Sequence, residues 1–221
     1  MNKTVLITGA SRGLGWDLAH HFLAKGWNVL VNARTHAAVE ELIQAGAIGV
    51  WGSVTTEFTR AELATVVKKT GLDLLIHNAG TRPDHGWDEL STKEVSKTII
   101  TNLVAPMLLT ACLWPALKES QGQVVFINSL AGKQGGRDET AYSASKFGLR
   151  GFAQALQFDG VRDGVRVLSV FPGAMKTQMT ALRPDYEKLI DTEEMATTIY
   201  QLCNDQPSLR VTEVDLCRRR Y

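Results

Sequence analysis

The chain has 221 residues, of which 44% are hydrophobic and 21% are charged, and these values are ordinary for a soluble globular protein. Twenty-four basic and 23 acidic side chains leave a formal net charge of +1, so no general field attracts nucleic acid or an acidic membrane. Length and composition exclude a fibrous or extensively disordered chain. They predict a single domain over residues 1–221 with one continuous core.

Cysteine usage and the N-terminal segment favour a cytoplasmic protein. The chain has three widely spaced cysteines, without a Cys-x-x-Cys pair or a nearby histidine that would indicate zinc, so we expect no metal. The first apolar run ends at Thr8 and is too short for a signal-peptide core. We also expect no segment with the eighteen or so apolar residues that a membrane helix needs. The basic run at residues 218–220 is expected to be a solvated or interface-paired tail.

Strand-like and helix-like segments alternate along the whole chain. Short, continuous apolar runs predict strands that are covered on both faces, at residues 4–7, 29–31, 48–50, 72–76, 124–127, 165–171 and 211–216. Helical periodicity predicts helices at residues 14–25, 38–45, 62–69, 93–118, 144–158 and 193–203. The alternation predicts a doubly wound, Rossmann-like α/β fold: a parallel sheet of about seven strands with helices on both faces.

The first predicted strand is followed by the glycine-rich loop T-G-A-S-R-G-L-G at residues 8–15. Glycines let a backbone approach a pyrophosphate, and the helix that follows presents free N–H groups. A three-glycine loop alone could be a tight turn, but a strand before it and a helix after it favour a nucleotide site. The predicted cofactor-binding residues of this loop are Gly9, Ser11, Arg12, Gly13, Leu14 and Gly15.

The end of the second strand predicts the cofactor. A carboxylate there would accept hydrogen bonds from the ribose 2′-OH, but the chain reads Val-Asn-Ala-Arg at residues 31–34. Arg34 and Arg12 could instead converge on a 2′-phosphate, which guanidinium groups match well. NADP(H) is therefore favoured over NAD(H). The alternative is that Arg34 is a solvated loop cation and that Arg12 is only a surface residue of the turn.

Tyr142 and Lys146 stand four residues apart, thirteen residues after Ser129. On a helix this spacing places both side chains on one face, about 5–6 Å apart at Cβ. A fixed ammonium favours the phenolate and is expected to bring the pKa of the phenol down toward the working range. The spacing therefore predicts an acid catalyst beside a bound nucleotide.

Six segments, in order and in register, make the chain similar to the short-chain dehydrogenase/reductase family over nearly its whole length. They are T-G-A-S-R-G-L-G at residues 8–15, N-A-G at 78–80, N-L-V-A-P from Asn102, S-L-A from Ser129, Y-S-A-S-K from Tyr142 and P-G-A-M-K-T from Pro172.

The resemblance implies a role for each catalytic-type residue. Tyr142 would be the general acid, and Lys146 would lower its pKa and hold the nicotinamide ribose. Ser129 would hydrogen-bond the substrate carbonyl, and Asn102 would sustain a water-linked proton path to Lys146. The implied cofactor contacts are Asn78, Ala79 and Gly80 on the adenine side, Ser53 and Val54 after the third strand, Tyr142 and Lys146, and Pro172, Gly173 and Thr177 at the nicotinamide.

Two positions depart from the family pattern. Ser53 stands where many relatives place an aspartate against the adenine amino group, so that contact is expected to be weaker or made by backbone. His77 precedes the N-A-G segment, and we expect a packed or hydrogen-bonded histidine rather than a catalyst. Ser145 is expected to be a helix residue without a role of its own.

The segment between Thr177 and the helix near Thr192 has only about fourteen residues, which predicts an open substrate site. The overall pattern is similar to 3-oxoacyl carrier-protein reductases, so a carrier-tethered 3-oxoacyl thioester ranks first, with acyl carrier protein as a possible partner. A broad ketone, aldehyde or quinone reductase is the alternative with the same chemistry, and a catalytically silent NADP(H) sensor is the alternative of another class. Four apolar residues either line a substrate channel or belong to the core: Trp87, Met175, Met179 and Leu182.

The two long apolar helices predicted at residues 93–118 and 144–158 are larger than is needed to cover one face of the sheet. In similar proteins such helices form a four-helix interface, so a homodimer or homotetramer is expected.

Overall fold

The computed structural model describes residues 2–203 and 209–219. The last arginine of the basic tail, Arg220, lies outside the described residues. Seven strands form one parallel sheet in the order β3-β2-β1-β4-β5-β6-β7, which confirms the predicted fold class. The strands are β1 Thr4–Thr8, β2 Asn28–Ala33, β3 Ile48–Trp51, β4 Leu74–His77, β5 Gln123–Ile127, β6 Arg166–Pro172 and β7 Glu213–Leu216.

Helices cover both faces of the sheet and connect its strands. They are α1 Gly13–Ala24, α2 Glu40–Gln44, α3 Glu57–Thr70, α4 Thr92–Ile99, α5 Ala105–Ser120, α6 Thr140–Asp163 and α7 Thr192–Cys203. A π-helical turn, Ile100–Val104, joins α4 to α5 without a break. Short 3-10 turns occur at Trp87–Glu89, Leu130–Gly132, Gln178–Thr180 and Tyr186–Lys188.

Alternating side chains of each strand enter two separate parts of the core. Ile7 of β1 packs on the face covered by α1 and α7, whereas its neighbour Leu6 packs on the face covered by α3, α5 and α6. All five side chains of β1 are buried, as are all five of β5. A strand between two helical layers needs apolar residues on both faces, which explains the continuous apolar runs in the sequence.

The expectation that no segment has the length and apolarity of a membrane helix is wrong. Helices α4 and α5 with the π-turn form one run, Thr92–Ser120, of 29 residues, and its most apolar stretch of 18 residues has a mean hydropathy of 1.6. By length and composition alone this run could cross a membrane, but Leu109, Leu113 and Leu117 pack into the core against the sheet. Only 33% of its most apolar window is buried, so the outward face of this run is itself rich in apolar side chains.

Candidate active site

The order of the strands places a crevice between the ends of β1 and β4. Connections run outward in opposite directions from this pair, and ligands of doubly wound sheets bind at such a switch point. The glycine loop follows β1, and Asn78 and Ala79 follow β4. The crevice therefore brings together two of the segments that the sequence singled out.

The glycine loop is fixed by close packing against the segment after β4. Gly9 has φ +68°, and a β-carbon there would lie 2.8 Å from Cα of Ala79. A β-carbon on Gly15 would overlap Nδ2 of Asn78. The Asn78 amide donates to the carbonyls of Thr8 (3.0 Å) and Gly9 (3.1 Å). The Asn78 amide therefore fixes the conformation of the glycine loop, whereas the sequence predicted only a contact on the adenine side of the cofactor.

Thr8 is a structural residue of this site that sequence reasoning missed. Its hydroxyl accepts hydrogen bonds from the backbone N–H groups of Asn78 (3.1 Å) and Ala79 (3.2 Å) and donates to the carbonyl of Ile76 (3.4 Å). A hydroxyl at the end of an otherwise apolar buried strand is the sequence signal that could have indicated this role. The contacts join β1 to β4 at the point where the loop begins.

The start of α1 has the properties of a dinucleotide cradle. Its N-cap residue, Arg12, makes no side-chain capping bond, and the first turn contains no acidic residue. The first N–H groups of the helix are therefore open to an anion. Glycine at positions 9, 13 and 15 also leaves this backbone without side chains that would obstruct a pyrophosphate. The loop fits the nucleotide group that the sequence predicts.

Arg34 lies exposed just beyond β2, at the same edge of the sheet as the glycine loop. The N–H of Ala10 donates to the carbonyl of Asn32 (3.1 Å), which joins the loop to the end of β2. Within residues 2–203 and 209–219, neither the Arg34 nor the Arg12 side chain is assigned a hydrogen-bond or ion-pair partner. Both guanidinium groups are thus free of protein anions in the part of the chain that is described.

The remaining predicted cofactor contacts surround the same crevice. Val54 is buried and the Ser53 hydroxyl pairs with the Thr55 hydroxyl at 2.8 Å, so Ser53 is already engaged by its own loop. Pro172 ends β6, and the N–H of Gly173 donates to the carbonyl of Leu216 (2.9 Å). Thr177 packs over the glycine loop, and a β-carbon on Gly13 would lie 3.3 Å from its Cγ2. Gly80 is exposed beside Ala79.

Tyr142, Lys146 and Ser129 meet at the carboxyl end of β5. Tyr142 and Lys146 both lie on α6, which begins at Thr140, and Lys146 Nζ is 5.7 Å from the centroid of the Tyr142 ring. The Ser129 side chain interacts with the Tyr142 phenol and lowers its pKa. Lys146 is buried, and its ammonium donates to the carbonyl of Ile127 at 2.8 Å. The spacing in the sequence therefore places these three groups together.

The pKa of Tyr142 differs from the sequence-based expectation. Burial raises the pKa of the phenol above its ordinary value of 10.0, and the interaction with the Ser129 side chain offsets this only in part. Lys146 is not among the causes, because its own pKa lies below that of the phenol and the group is neutral where the phenol titrates. Its own pKa is lowered to about 8, because burial disfavours the charged ammonium. The prediction that Lys146 brings the phenol down toward neutral pH is wrong for this structure, since desolvation is the larger effect.

Asn102 lies inside the π-turn, and its side chain is almost fully buried. Its Oδ1 accepts from the N–H of Thr81 (2.8 Å), and its Nδ2 donates to the Thr81 carbonyl (2.8 Å) and to the Ser145 hydroxyl (3.0 Å). Both amide protons are thereby engaged. The side chain fixes the segment after β4 rather than reaching Lys146, so the proton path through Asn102 stays a prediction.

Ser145 has a role that sequence reasoning did not assign. The side chain is completely buried, and its hydroxyl donates to the carbonyl of Tyr142 at 2.6 Å while accepting from Asn102. This chain of hydrogen bonds ties the first turn of α6 to the π-turn. π-turns are frequent at functional sites. Here the π-turn places Asn102 against Ser145, whose hydroxyl binds the backbone carbonyl of Tyr142.

His77 is a packed histidine, as the sequence analysis expected. It stacks on Phe126 at 5.0 Å between ring centroids, and its Nε2 hydrogen-bonds to the Thr110 hydroxyl at 2.8 Å. Burial lowers its pKa to about 3, so the ring is neutral at physiological pH.

Residues 3–188 match the family described as short chain dehydrogenase. Trans-4-hydroxycyclohexanecarboxylate dehydrogenase of Sinomonas cyclohexanicum is 30% identical, over 93% of this chain and 87% of its own. The 3-oxoacyl-[acyl-carrier-protein] reductase FabG of Vibrio harveyi is also 30% identical, over 89% of this chain and 80% of its own. The acetoacetyl-CoA reductase of Shinella zoogloeoides is 30% identical, over 84% and 79%.

Solved structures share the same fold. A short-chain dehydrogenase from Streptomyces avermitilis superposes with a TM-score of 0.87 and 25% identity, over 97% of this chain and 88% of its own. An alcohol dehydrogenase from the archaeon Thermococcus sibiricus, complexed with 5-hydroxy-NADP, has a TM-score of 0.88 and 24% identity, over 98% and 96%. The chain belongs to the short-chain dehydrogenase family. It is an oxidoreductase of the CH–OH/C=O class, and its family uses a nicotinamide cofactor.

Proposed function

We propose that this protein reduces a carbonyl to an alcohol with NADPH, and that Tyr142 is the general acid. The observation that carries the proposal is the meeting of the Tyr142 phenol, the Ser129 hydroxyl and the buried Lys146 ammonium beside the dinucleotide crevice. Two hydroxyl groups that face one point can bind one carbonyl oxygen.

Each group of the chain has a defined part in the proposed step. Bound nicotinamide supplies the hydride to the carbonyl carbon. Negative charge then develops on the carbonyl oxygen, where the Ser129 hydroxyl donates a hydrogen bond and Tyr142 gives up its proton. Because the pKa of Tyr142 is raised, the phenol stays protonated at neutral pH and is ready to donate. Lys146 places its positive charge beside the phenolate that forms, and Asn102 and Ser145 hold the tyrosine in position.

The preference for NADP(H) over NAD(H) is supported by Arg12 and Arg34. No carboxylate ends β2, where Asn32 instead donates to the carbonyls of Val50 (2.9 Å) and Gly52 (3.2 Å). We therefore propose that the two guanidinium groups hold the 2′-phosphate.

Replacing Arg34 with aspartate is expected to reduce the ratio of NADPH to NADH affinity roughly 100-fold, since charge-assisted bonds are lost and a like charge faces the phosphate. Binding of each cofactor, measured by fluorescence titration, gives the ratio. Arg210→Asp is the matched control, because this exposed arginine precedes β7 at the opposite edge of the sheet. An unchanged ratio in Arg34→Asp would reject the assignment.

We propose a 3-oxoacyl thioester, carried by acyl carrier protein or coenzyme A, as the substrate. Two relatives support this ranking, the 3-oxoacyl-[acyl-carrier-protein] reductase of Vibrio harveyi and the acetoacetyl-CoA reductase of Shinella zoogloeoides. Trp87, in the segment after β4, and Met179 and Leu182, in the segment after β6, are exposed at 67%, 41% and 94%. They are therefore not core residues and can contact an apolar chain, whereas Met175 packs partly against the core.

The substrate proposal is tested by NADPH consumption with a panel of 3-oxoacyl thioesters, ketones, aldehydes and quinones. We expect kcat/KM for a 3-oxoacyl thioester to exceed that of every small carbonyl by about tenfold or more, since remote binding energy contributes to transition-state stabilisation. Higher values for the small carbonyls would favour the broad reductase. No turnover of any compound would favour a silent NADP(H) sensor.

We also propose that the chain is a single dinucleotide-binding domain that acts in the cytoplasm as a homodimer or homotetramer. Support for assembly comes from exposed apolar side chains on the outward faces of two neighbouring helical runs. On the run through α4 and α5 these are Ile100, Met107 and Leu108, and on α6 they are Phe147, Phe158 and Val161. Burying such a face against its symmetry mate would remove it from water.

A further inference from the structure

Arg82 and Glu139 form an ion pair at the N-terminal end of α6, with 3.1 Å between Arg82 Nη1 and Glu139 Oε1. Both side chains are mostly buried, with 24% and 23% of their area exposed. We propose that Arg82 and Glu139 are positioning residues for Tyr142, whose ion pair closes a ring of contacts around the first turn of α6 and places two opposite charges beside the phenol. The proposal rests on the proposed role of Tyr142 as the acid.

The first half of the ring consists of hydrogen bonds. The Tyr142 carbonyl accepts from the Ser145 hydroxyl, which in turn accepts from Asn102. Asn102 then holds both backbone groups of Thr81, the residue before Arg82. The π-turn thereby fixes the backbone from which the Arg82 side chain extends.

The second half returns to the tyrosine through the ion pair. Glu139 is the N-cap residue of α6, three residues before Tyr142, and its carbonyl accepts from the N–H of Ser143 (2.6 Å). Its carboxylate also lies against Gly136, where a β-carbon would approach Oε2 to 2.7 Å. The carboxylate thus lies against its own loop as well as against Arg82.

The two charges act on the phenol in opposite directions. Glu139 raises the pKa of Tyr142 and Arg82 lowers it. The other groups that face this site are the Ser129 hydroxyl, which also lowers the pKa, and Lys146 on the same helix face. Arg183, from the segment before α7, acts on Glu139 rather than on the phenol. Removing one member of the pair therefore leaves the other charge uncompensated beside Tyr142.

The contact of Arg82 with Glu139 is made at one end of the guanidinium. Its Nε is buried and has no hydrogen-bond partner among the residues that the structure describes. The pairing therefore does not need the two-pronged geometry that distinguishes arginine from lysine. A lysine at this position retains the charge, so Arg82→Lys is the conservative variant for rescue.

The test is a titration of Tyr142 that does not depend on turnover. Protein labelled with 3-fluorotyrosine, whose phenol is more acidic than that of tyrosine, is titrated by ¹⁹F NMR, and the signal is assigned by its loss in Tyr142→Phe. We expect Glu139→Gln to lower the pKa of residue 142 by about 0.5–1 unit and Arg82→Gln to raise it by a similar amount. In the double variant the pKa of residue 142 should return close to that of the parent protein, and in Arg82→Lys it should stay within about 0.3 units of that value.

Asp159→Asn is the matched control, since it removes a carboxylate from the same helix about 25 Å further along its axis. It should leave the titration unchanged. Shifts of the same sign in Glu139→Gln and Arg82→Gln, or no shift in either, would overturn the proposal. Failure of the acid assignment is a separate result, because it would appear as retained turnover in Tyr142→Phe whatever the titration shows.

Discussion

Replacing Tyr142 with phenylalanine is expected to lower kcat for carbonyl reduction by about 10³-fold, the middle of the range for losing a positioned general acid. The substitution removes the phenol hydroxyl that interacts with Ser129 and leaves the ring packed beside Lys146. NADPH affinity should change by no more than about fivefold, because one neutral hydrogen bond is worth about 1 kcal/mol. Steady-state kinetics and cofactor titration on the same preparation measure both quantities.

Tyr200→Phe is the matched control for this experiment. Tyr200 lies on α7 and packs edge-to-face on Phe22, at 5.1 Å between ring centroids. The control also removes one phenol oxygen, but on the α1 side of the sheet, so its kcat should stay within about twofold of wild type. Turnover by Tyr142→Phe at the wild-type rate would remove the tyrosine from the mechanism.

Replacing Lys146 with methionine is expected to lower kcat about 10²-fold and to change the pH profile. Methionine fills a similar volume but lacks the charge that stabilises the forming phenolate and the donor to Ile127. The pKa of Lys146 is about 8 in the folded protein, so the ammonium is charged below pH 8 and neutral above it. Reduction by the wild type should therefore fall as the pH rises through about 8, and this step should be absent in the variant.

The pH dependence of the free energy of unfolding distinguishes loss of the Lys146 ammonium from loss of the fold. The folded pKa of Lys146 lies below its ordinary value of 10.5, so between about pH 8 and 10.5 the unfolded chain binds more protons than the folded one. Lys146 therefore makes wild-type stability rise with pH in that window, and Lys146→Met should lose this contribution. Lys93→Met, at an exposed position of α4, is the control and should keep both pH dependences. A variant that kept the wild-type activity profile would contradict the role of the ammonium.

The sheet could be predicted from the sequence because its strands are covered on both faces. Continuous apolar runs, such as Thr4–Thr8, leave few alternatives to a parallel strand between helical layers. The glycine loop and the pairing of Tyr142 with Lys146 could also be predicted, since each depends on contacts within a few residues of the chain. Helix ends were less accurate: α6 begins at Thr140 rather than near residue 144, which places Tyr142 in its first turn.

The parts of the site that the sequence did not predict depend on contacts between distant segments. Asn102 and Ser145 are 43 residues apart, and nothing local indicates that a π-turn brings the amide to the hydroxyl. Thr8 and Asn78 are 70 residues apart. The direction of the Tyr142 pKa shift depends on burial, which the spacing of residues in the sequence does not reveal. For this reason the spacing to Lys146 predicted a lowered pKa, whereas the pKa is raised.

The central claim is that hydride reaches a carbonyl carbon beside Tyr142, and isotope transfer tests it most directly. NADPH carrying deuterium on the transferred position of the nicotinamide is incubated with a 3-oxoacyl thioester, and the product is analysed by mass spectrometry. We expect one deuterium on the new carbinol carbon with wild type, and about 10³-fold slower labelling with Tyr142→Phe. Alcohol formed without deuterium at that carbon, or equal labelling rates in the two proteins, would contradict it.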